Sequence, residues 1–259
     1  ASLVRVPIRL GADVFLDGLI SEENTDRLAD TMQAFSLLMK VNQVEKYRAC
    51  ATSAMRESTN GQQVADEVYK RTGVRIDIID GAEEASIIAS TDISSLIQKD
   101  KDYLYIDVGG GSTEFTVFSK GKVKKSRSFP IGTVRLLDNK VSNKTWEEVE
   151  HWIKKHTKDC EHIEAIGSGG NINKIHKNSN SKEGEPLSYQ YLTDYYNYVS
   201  GFTYDERIRL LGFNPDRADV ILYALTVFIN AMKWSGAEIV HVPRIGLADG
   251  IVRSIYNEG

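Results

Sequence analysis

Within eight residues the chain carries an aspartate, three glycines, two hydroxyls and a glutamate: Asp107-Val-Gly109-Gly110-Gly111-Ser112-Thr113-Glu114. Glycines let backbone N–H groups approach an anion closely, and successive N–H groups form a concave nest for phosphate oxygens. Ser112 and Thr113 add hydroxyl donors. Asp107 and Glu114 bracket the nest, and two carboxylates beside a phosphate repel it unless a divalent cation stands between them. The chemistry these residues suggest is a metal-bound phosphoryl group, with Asp107 and Glu114 on the metal side. A dinucleotide-binding turn is a poorer fit, because it needs a glycine where Glu114 stands and a helix afterwards. A P-loop fails for want of a closing Gly-Lys-Ser/Thr.

Three further groups could serve such a reaction. Glu83 and Glu84 follow Asp80 at a strand-to-helix junction. They complement a helix dipole there, and a glutamate beside phosphate could also take a proton from attacking water. Arg56, at another such junction, could fork onto a phosphate, although a solvated or salt-bridged arginine explains it as well. Gly167-Ser168-Gly169-Gly170 is a second glycine turn ahead of a helix and could hold another phosphate or a nucleotide. The basic run Lys120, Lys122, Lys124, Lys125 and Arg127 reads first as protection of an edge strand and second as a polyanion contact.

The elements that must position these residues alternate between strand and helix, which makes the class α/β. Tyr103–Ile106 and Phe115–Phe118 flank the triple-glycine turn as strands, and Lys122–Phe129 follows as a third. Leu3–Leu10 alternates loosely as a strand. Ser21 caps a helix carrying Leu28, Met32, Phe35 and Met39. Short strands are expected over Tyr47–Ala51 and Val74–Ile79, with a helix over Asn60–Arg71 between them and another over Ala82–Ser95. In the second half, helices are expected over Trp146–Lys158, Ser188–Ser200 and Tyr204–Leu211, with a strand over Ile163–Ile166. Asn214 and Pro215 open one long helix through Trp234, whose core face is Ile221, Leu225, Phe228 and Met232. A last strand, Glu238–Val242, and a last helix, Gly246–Tyr256, close the chain. The polar stretch Gln98–Asp102 reads as a domain boundary.

The 259 residues suffice for one large or two medium domains, and 41% apolar with 26% charged residues suits a globular protein. The net charge of −4 argues against binding extended duplex nucleic acid. No apolar run reaches the ~18 residues of a membrane helix. Two cysteines, Cys50 and Cys160, are too few for a disulfide framework, so a reducing, cytoplasmic setting is expected.

Taken together, ATSAMRESTN, DGAEEA, IDVGGGSTE, IGTVRL, AIGSGGNI, NPDRADV and GLADGIV resemble the exopolyphosphatase and guanosine pentaphosphate phosphohydrolase family of the actin-like superfamily. They stand in family order from Ala51 almost to the C-terminus. The resemblance implies two actin-like (ribonuclease H-like) lobes around a phosphate-binding cleft: residues 1–98, rejoined by the helix 246–259, and residues 99–245. It implies Glu84 as catalytic base, Asp107 and Glu114 as Mg²⁺-linked, and Gly109–Thr113 as the phosphate loop. Arg56 would contact substrate phosphate, and Gly167–Gly170 would lie toward the nucleotide side. The implied substrate is inorganic polyphosphate or guanosine pentaphosphate, and a homodimer is among the assemblies compatible with it. The rivals are an ATP-dependent kinase or ATPase of the superfamily and a non-catalytic polyphosphate or alarmone binder. The family pattern also places a strand and a phosphate loop of the type Asp-hydrophobic-Gly-Ser-Asn-Ser ahead of Leu3. The expectation is that the sequence without it is inactive and self-associates. At the other end, Pro243–Gly250 departs from the family's closing Ser-x-x-x-Leu-Arg-Glu-Gly.

Overall fold

The computed structural model describes residues 4, 6–89, 97, 98, 100–243 and 247–257, apart from the side chains of 82, 85, 88, 89 and 257. The chain divides into two compact units, Ala1–Glu84 with Ile251–Gly259, and Ala85–Gly250. The division falls after Glu84, inside a helix, and not in the polar stretch Gln98–Asp102.

The first unit opens with helix α1 (Leu10–Asp17), where a strand over Leu3–Leu10 was expected. Among its described residues that stretch carries no strand, and residues 3 and 5 lie outside them. The loose alternation belongs to the approach to a helix that buries Val14 and Phe15. Helix α2 (Glu22–Val41) starts at Ser21, whose hydroxyl accepts from the Asn24 N–H as an N-cap should. Strands β1 (Ala49–Ala51) and β2 (Ile76–Ile78) pair in parallel. Between them run α3 (Ser53–Glu57) and α4 (Gly61–Thr72), the latter burying Val64, Ala65 and Val68. Helix α5 (Gly81–Ala89) follows β2, and residues 90–95 of the expected Ala82–Ser95 helix lie outside the described set.

The second unit is built on a six-stranded sheet. Its strands are β3 (Asp102–Val108), β4 (Thr113–Ser119), β5 (Lys122–Phe129), β6 (Ile163–Ser168), β7 (Leu187–Ser188) and β8 (Ile239–His241). Their order is β5-β4-β3-β6-β8-β7, with β3, β6 and β8 parallel and the rest antiparallel to their neighbours. β3 is covered on both sides, so its residues read as a continuous apolar run. Leu104, Ile106 and Val108 face the main core; Tyr103 and Tyr105 face a smaller cluster with Phe118 and Ile166.

The helices of this unit are α6 (Thr133–Leu137), α7 (Asn143–Thr157), α8 (Gly170–Asn178), α9 (Tyr189–Ser200), α10 (Tyr204–Arg209), α11 (Pro215–Ala218) and α12 (Ile221–Ser235). The single helix expected from Pro215 to Trp234 is therefore two. The Ala218 carbonyl accepts from the Arg207 guanidinium at 3.1 Å, and the Val220 N–H turns tightly to the Arg217 carbonyl. The helical ladder breaks there and restarts at Ile221. The expected core face holds, with Ile221, Leu225, Phe228 and Met232 fully buried. Helix α13 (Leu247–Asn257) closes the chain; residues 244–246, which include the start of the expected last helix and part of the closing motif, lie outside the described set. No helix among the described residues is long and apolar enough to cross a membrane.

Candidate active site

The triple-glycine segment is the connection of the β3–β4 hairpin. It closes on itself through the Gly109 N–H, which donates to the Ser112 carbonyl at 3.0 Å. Its carbonyls are held from one side. Gly109 accepts from the Thr133 N–H at 3.0 Å and Gly110 from the Val134 N–H at 2.9 Å, both orphan donors of the α6 N-terminus. Gly111 accepts from Arg135 Nε at 2.7 Å. In a trans peptide the N–H points opposite to the preceding carbonyl. Three consecutive carbonyls captured by α6 therefore turn the N–H groups of Gly110, Gly111 and Ser112 to the other side. Among the described residues those three donors have no acceptor. This is a nest suited to an anion.

Gly132 makes the arrangement possible. Its φ of −132° suits any residue, but a Cβ there would overlap the Gly110–Gly111 peptide. The motif IGTVRL thus has a mechanical role that the sequence did not disclose.

Strand register assembles the polar groups. Ser168 pairs with Asp107, Asp107 with Glu114, and Glu114 with Ser128, so four residues from four strands form one row. Glu114 is 4% exposed and accepts from the Ser112 and Ser128 hydroxyls at 2.7 and 2.8 Å. Asp107, half-buried, accepts from the Tyr105 hydroxyl at 3.3 Å and bonds the Ser168 side chain. Burial and then the Glu114 charge push the Asp107 carboxyl up to about 6. Burial also raises the Tyr105 phenol, which keeps it protonated as donor. The hydroxyl of Thr113 corrects an expectation. Thr113 is fully buried and donates to the Ile131 carbonyl, so it anchors the turn and does not face a ligand. The Ser112 hydroxyl is likewise engaged, and the donors left for an anion are amides.

The second glycine turn sits against the first. Gly169, at φ +102°, is the N-cap of α8, and a Cβ on it would stand 3.1 Å from the Val108 carbonyl and 3.3 Å from Asp107 Oδ1. Gly167 and Ser168 end β6, and Gly170 begins α8 with the Arg217 guanidinium packed on its Cα. Arg217 also donates to Asn171 Oδ1 at 3.0 Å. Arg217, Asn171, Tyr105 and Ser128 were not singled out from the sequence. The motifs NPDRADV and AIGSGGNI contained the first two, but no spacing connects Ser128 to Glu114 before the register is known.

In the first unit the two glutamates of DGAEEA part company. Glu83 is exposed and pairs with Arg48 at 2.6 Å. Glu84 is 8% exposed, and Arg56 Nη1 stands 3.8 Å from its Oε2 while donating to the Ile79 carbonyl at 2.8 Å. Arg56 and Glu84 are thus neighbours within this unit.

Among the described residues no group of three or more His, Cys, Asp or Glu could hold a metal ion by itself. The pair Asp107 and Glu114 fits Mg²⁺ in its usual setting, where one or two carboxylates share the ion with waters and substrate phosphates. Burial and the Glu114 charge both disfavour the ionised Asp107, and a bound cation would favour it.

An α/β fold carrying a hairpin-borne amide nest flanked by carboxylates suits a phosphate-handling protein. The pattern of the Ppx/GppA phosphatase family matches residues 4–258, and the chain belongs to that family. It is 28% identical to the bifunctional 3-dehydroquinate synthase/phosphatase of Fusobacterium nucleatum, over 91% of this chain but 39% of that protein. The chain therefore spans about two-fifths of that relative's length. It is 21% identical to exopolyphosphatase 1 of Mycobacterium leprae, over 97% of this chain and 80% of the relative. Among solved structures, an exopolyphosphatase from Cytophaga hutchinsonii superposes with a TM-score of 0.85 at 23% identity, covering 100% of this chain and 90% of the other. A Ppx/GppA family member from Aquifex aeolicus gives 0.74 at 21%, covering 97% and 87%. These likenesses establish the fold.

Proposed function

We propose that the protein is a divalent-cation-dependent phosphohydrolase that releases the terminal phosphate of inorganic polyphosphate or guanosine pentaphosphate. The observation that carries this reading is the amide nest of Gly110, Gly111 and Ser112 beside the Ser168–Asp107–Glu114–Ser128 row. The nest would bind the oxygens of the transferred phosphoryl group, and Arg56 would add a cationic donor. Mg²⁺, when bound by Asp107 and Glu114, supplies charge neutralisation for the phosphoryl oxygens. Glu84 would orient water and accept its proton. Its burial beside Arg56 gives it a fixed position, unlike Glu83, which Arg48 holds at the surface. Phosphoryl transfer through a loose transition state relies on positioning and charge more than on a strong nucleophile, and fixed amides supply both.

The experiment is phosphate release by the full-length protein from each substrate, with and without Mg²⁺. Release that needs Mg²⁺ is the expected result. Transfer from ATP to an organic acceptor, or tight binding without release in Mg²⁺, would overturn the reading.

A further inference from the structure

The proposed reaction uses Asp107 and leaves Tyr105 without a task. Each carboxylate of the row is held by hydroxyl groups. Glu114 accepts from Ser112 and Ser128, and Asp107 from Tyr105, with the Ser168 side chain also bonded to it. Among the described residues Asp107 forms no ion pair. A lysine or arginine beside it would neutralise the carboxylate and compete with a metal ion for it. A hydroxyl orients the carboxylate and leaves its charge in place.

Tyr105 differs from the serines of the row in reach and rigidity. On a strand, residues i and i+2 share a face but lie about 7 Å apart. A serine at position 105 is too short to cross that distance to Asp107. The phenol crosses it, with its oxygen 3.3 Å from Asp107 Oδ2. The ring is fully buried in a cluster with Tyr103, Phe118 and Ile166, against which Ile97 and Leu247 pack. Packing on the ring therefore sets where the oxygen stands, whereas a serine hydroxyl swings about a single side-chain torsion. Burial keeps the phenol protonated, so it remains a donor. The other carboxylate oxygen, Oδ1, lies toward Gly169, where a Cβ would stand 3.3 Å from it and the glycine leaves it uncrowded.

We propose that Tyr105 is a positioning residue for the cation: its buried phenol fixes the Asp107 carboxylate in the orientation that receives a divalent ion. The inference deepens the reading above and rests on it for the ion. Tyr105 acts through Asp107 and touches neither substrate nor the reacting atoms. Removing an outer partner of a metal ligand costs about 10–100-fold in metal affinity, because the freed ligand must be ordered again when the ion binds.

The test is Tyr105→Phe, which keeps the ring and removes the hydroxyl, with Tyr103→Phe as its control. Tyr103 belongs to the same cluster, and its hydroxyl accepts from the Gln98 N–H at 3.4 Å, apart from the row. Mn²⁺ binding to the full-length protein without substrate, read by electron paramagnetic resonance, should weaken roughly tenfold or more in Tyr105→Phe and hold at the wild-type level in Tyr103→Phe. In phosphate release, the Mg²⁺ midpoint of Tyr105→Phe should rise by a similar factor. Its kcat at saturating Mg²⁺ and its KM for polyphosphate should stay within about twofold of wild type. A variant damaged in its fold would not recover at high Mg²⁺. Wild-type Mn²⁺ affinity in Tyr105→Phe would overturn the proposal, as would an equal loss in Tyr103→Phe, which would make the effect one of packing. If the wild-type protein binds no Mn²⁺, the divalent-ion reading and the proposal fall together. If it binds the ion and Tyr105→Phe binds it equally well, only the proposal falls.

Discussion

Asp107 faces Glu114 across the β3–β4 pair, and its burial, together with the Glu114 charge, has a measurable consequence. An acid whose folded pKa is raised holds its proton more tightly folded than unfolded. The stability it lends is complete below the ordinary value of 3.8 and is lost as pH rises through about 6. In EDTA, Asp107→Asn should therefore match wild type near pH 3.5 and exceed it at pH 7, by about 2–4 °C in Tm per kcal/mol of relief. A difference between the two proteins that stays flat with pH would show that neither burial nor the Glu114 charge strains the Asp107 carboxylate. Glu84→Gln should lower kcat by roughly 10²-fold with KM nearly unchanged, the signature of a lost general base. Glu83→Gln, which removes only a surface pair with Arg48, should leave kcat within about twofold. Comparable effects of the two substitutions on kcat would remove Glu84 from its assigned role.

At the scale of elements, the short helix α6 turns a flexible glycine sequence into a fixed anion nest. Gly132→Ala tests this without straining its own backbone, because φ there is ordinary and only the Gly110–Gly111 peptide is in the way. It should lower kcat/KM at least tenfold and speed hydrogen exchange at Gly109, Thr133 and Val134, whose N–H groups make the bonds that hold the turn, with a stability loss of about 1–3 kcal/mol from overpacking. Wild-type exchange and kinetics would mean the turn holds without α6. Much at this scale was legible in the sequence: the hairpin, the Ser21 cap, the α4 and α7 helices and the core face of α12 all follow from local pattern. What failed was decided by partners distant in sequence. Arg207 takes the Ala218 carbonyl and divides the helix that Pro215 opens. The Thr113 hydroxyl looks inward because Ile131 offers it a carbonyl. Ser128 joins the site only through the β4–β5 register, and no one-dimensional spacing encodes a register.

For the molecule as a whole, the motifs in order from Arg56 to the last helix resemble the family, and the family pattern matches residues 4–258. The division of the chain is a different matter. It falls within α5, directly after Glu84, and a helix offers no change of composition to mark such a boundary. The proposed catalytic base therefore ends one unit while the nest and its carboxylates belong to the other. The account stands or falls on a divalent ion serving that carboxylate pair. The direct measurement is an Mg²⁺ titration of phosphate release from polyphosphate, run on the full-length wild-type protein and on Asp107→Asn. The account predicts no release by wild type in EDTA, and in the variant a midpoint at least tenfold higher with a lower maximum, because one of two ligands is gone. Superimposable titrations, or full release by wild type in EDTA, would contradict it.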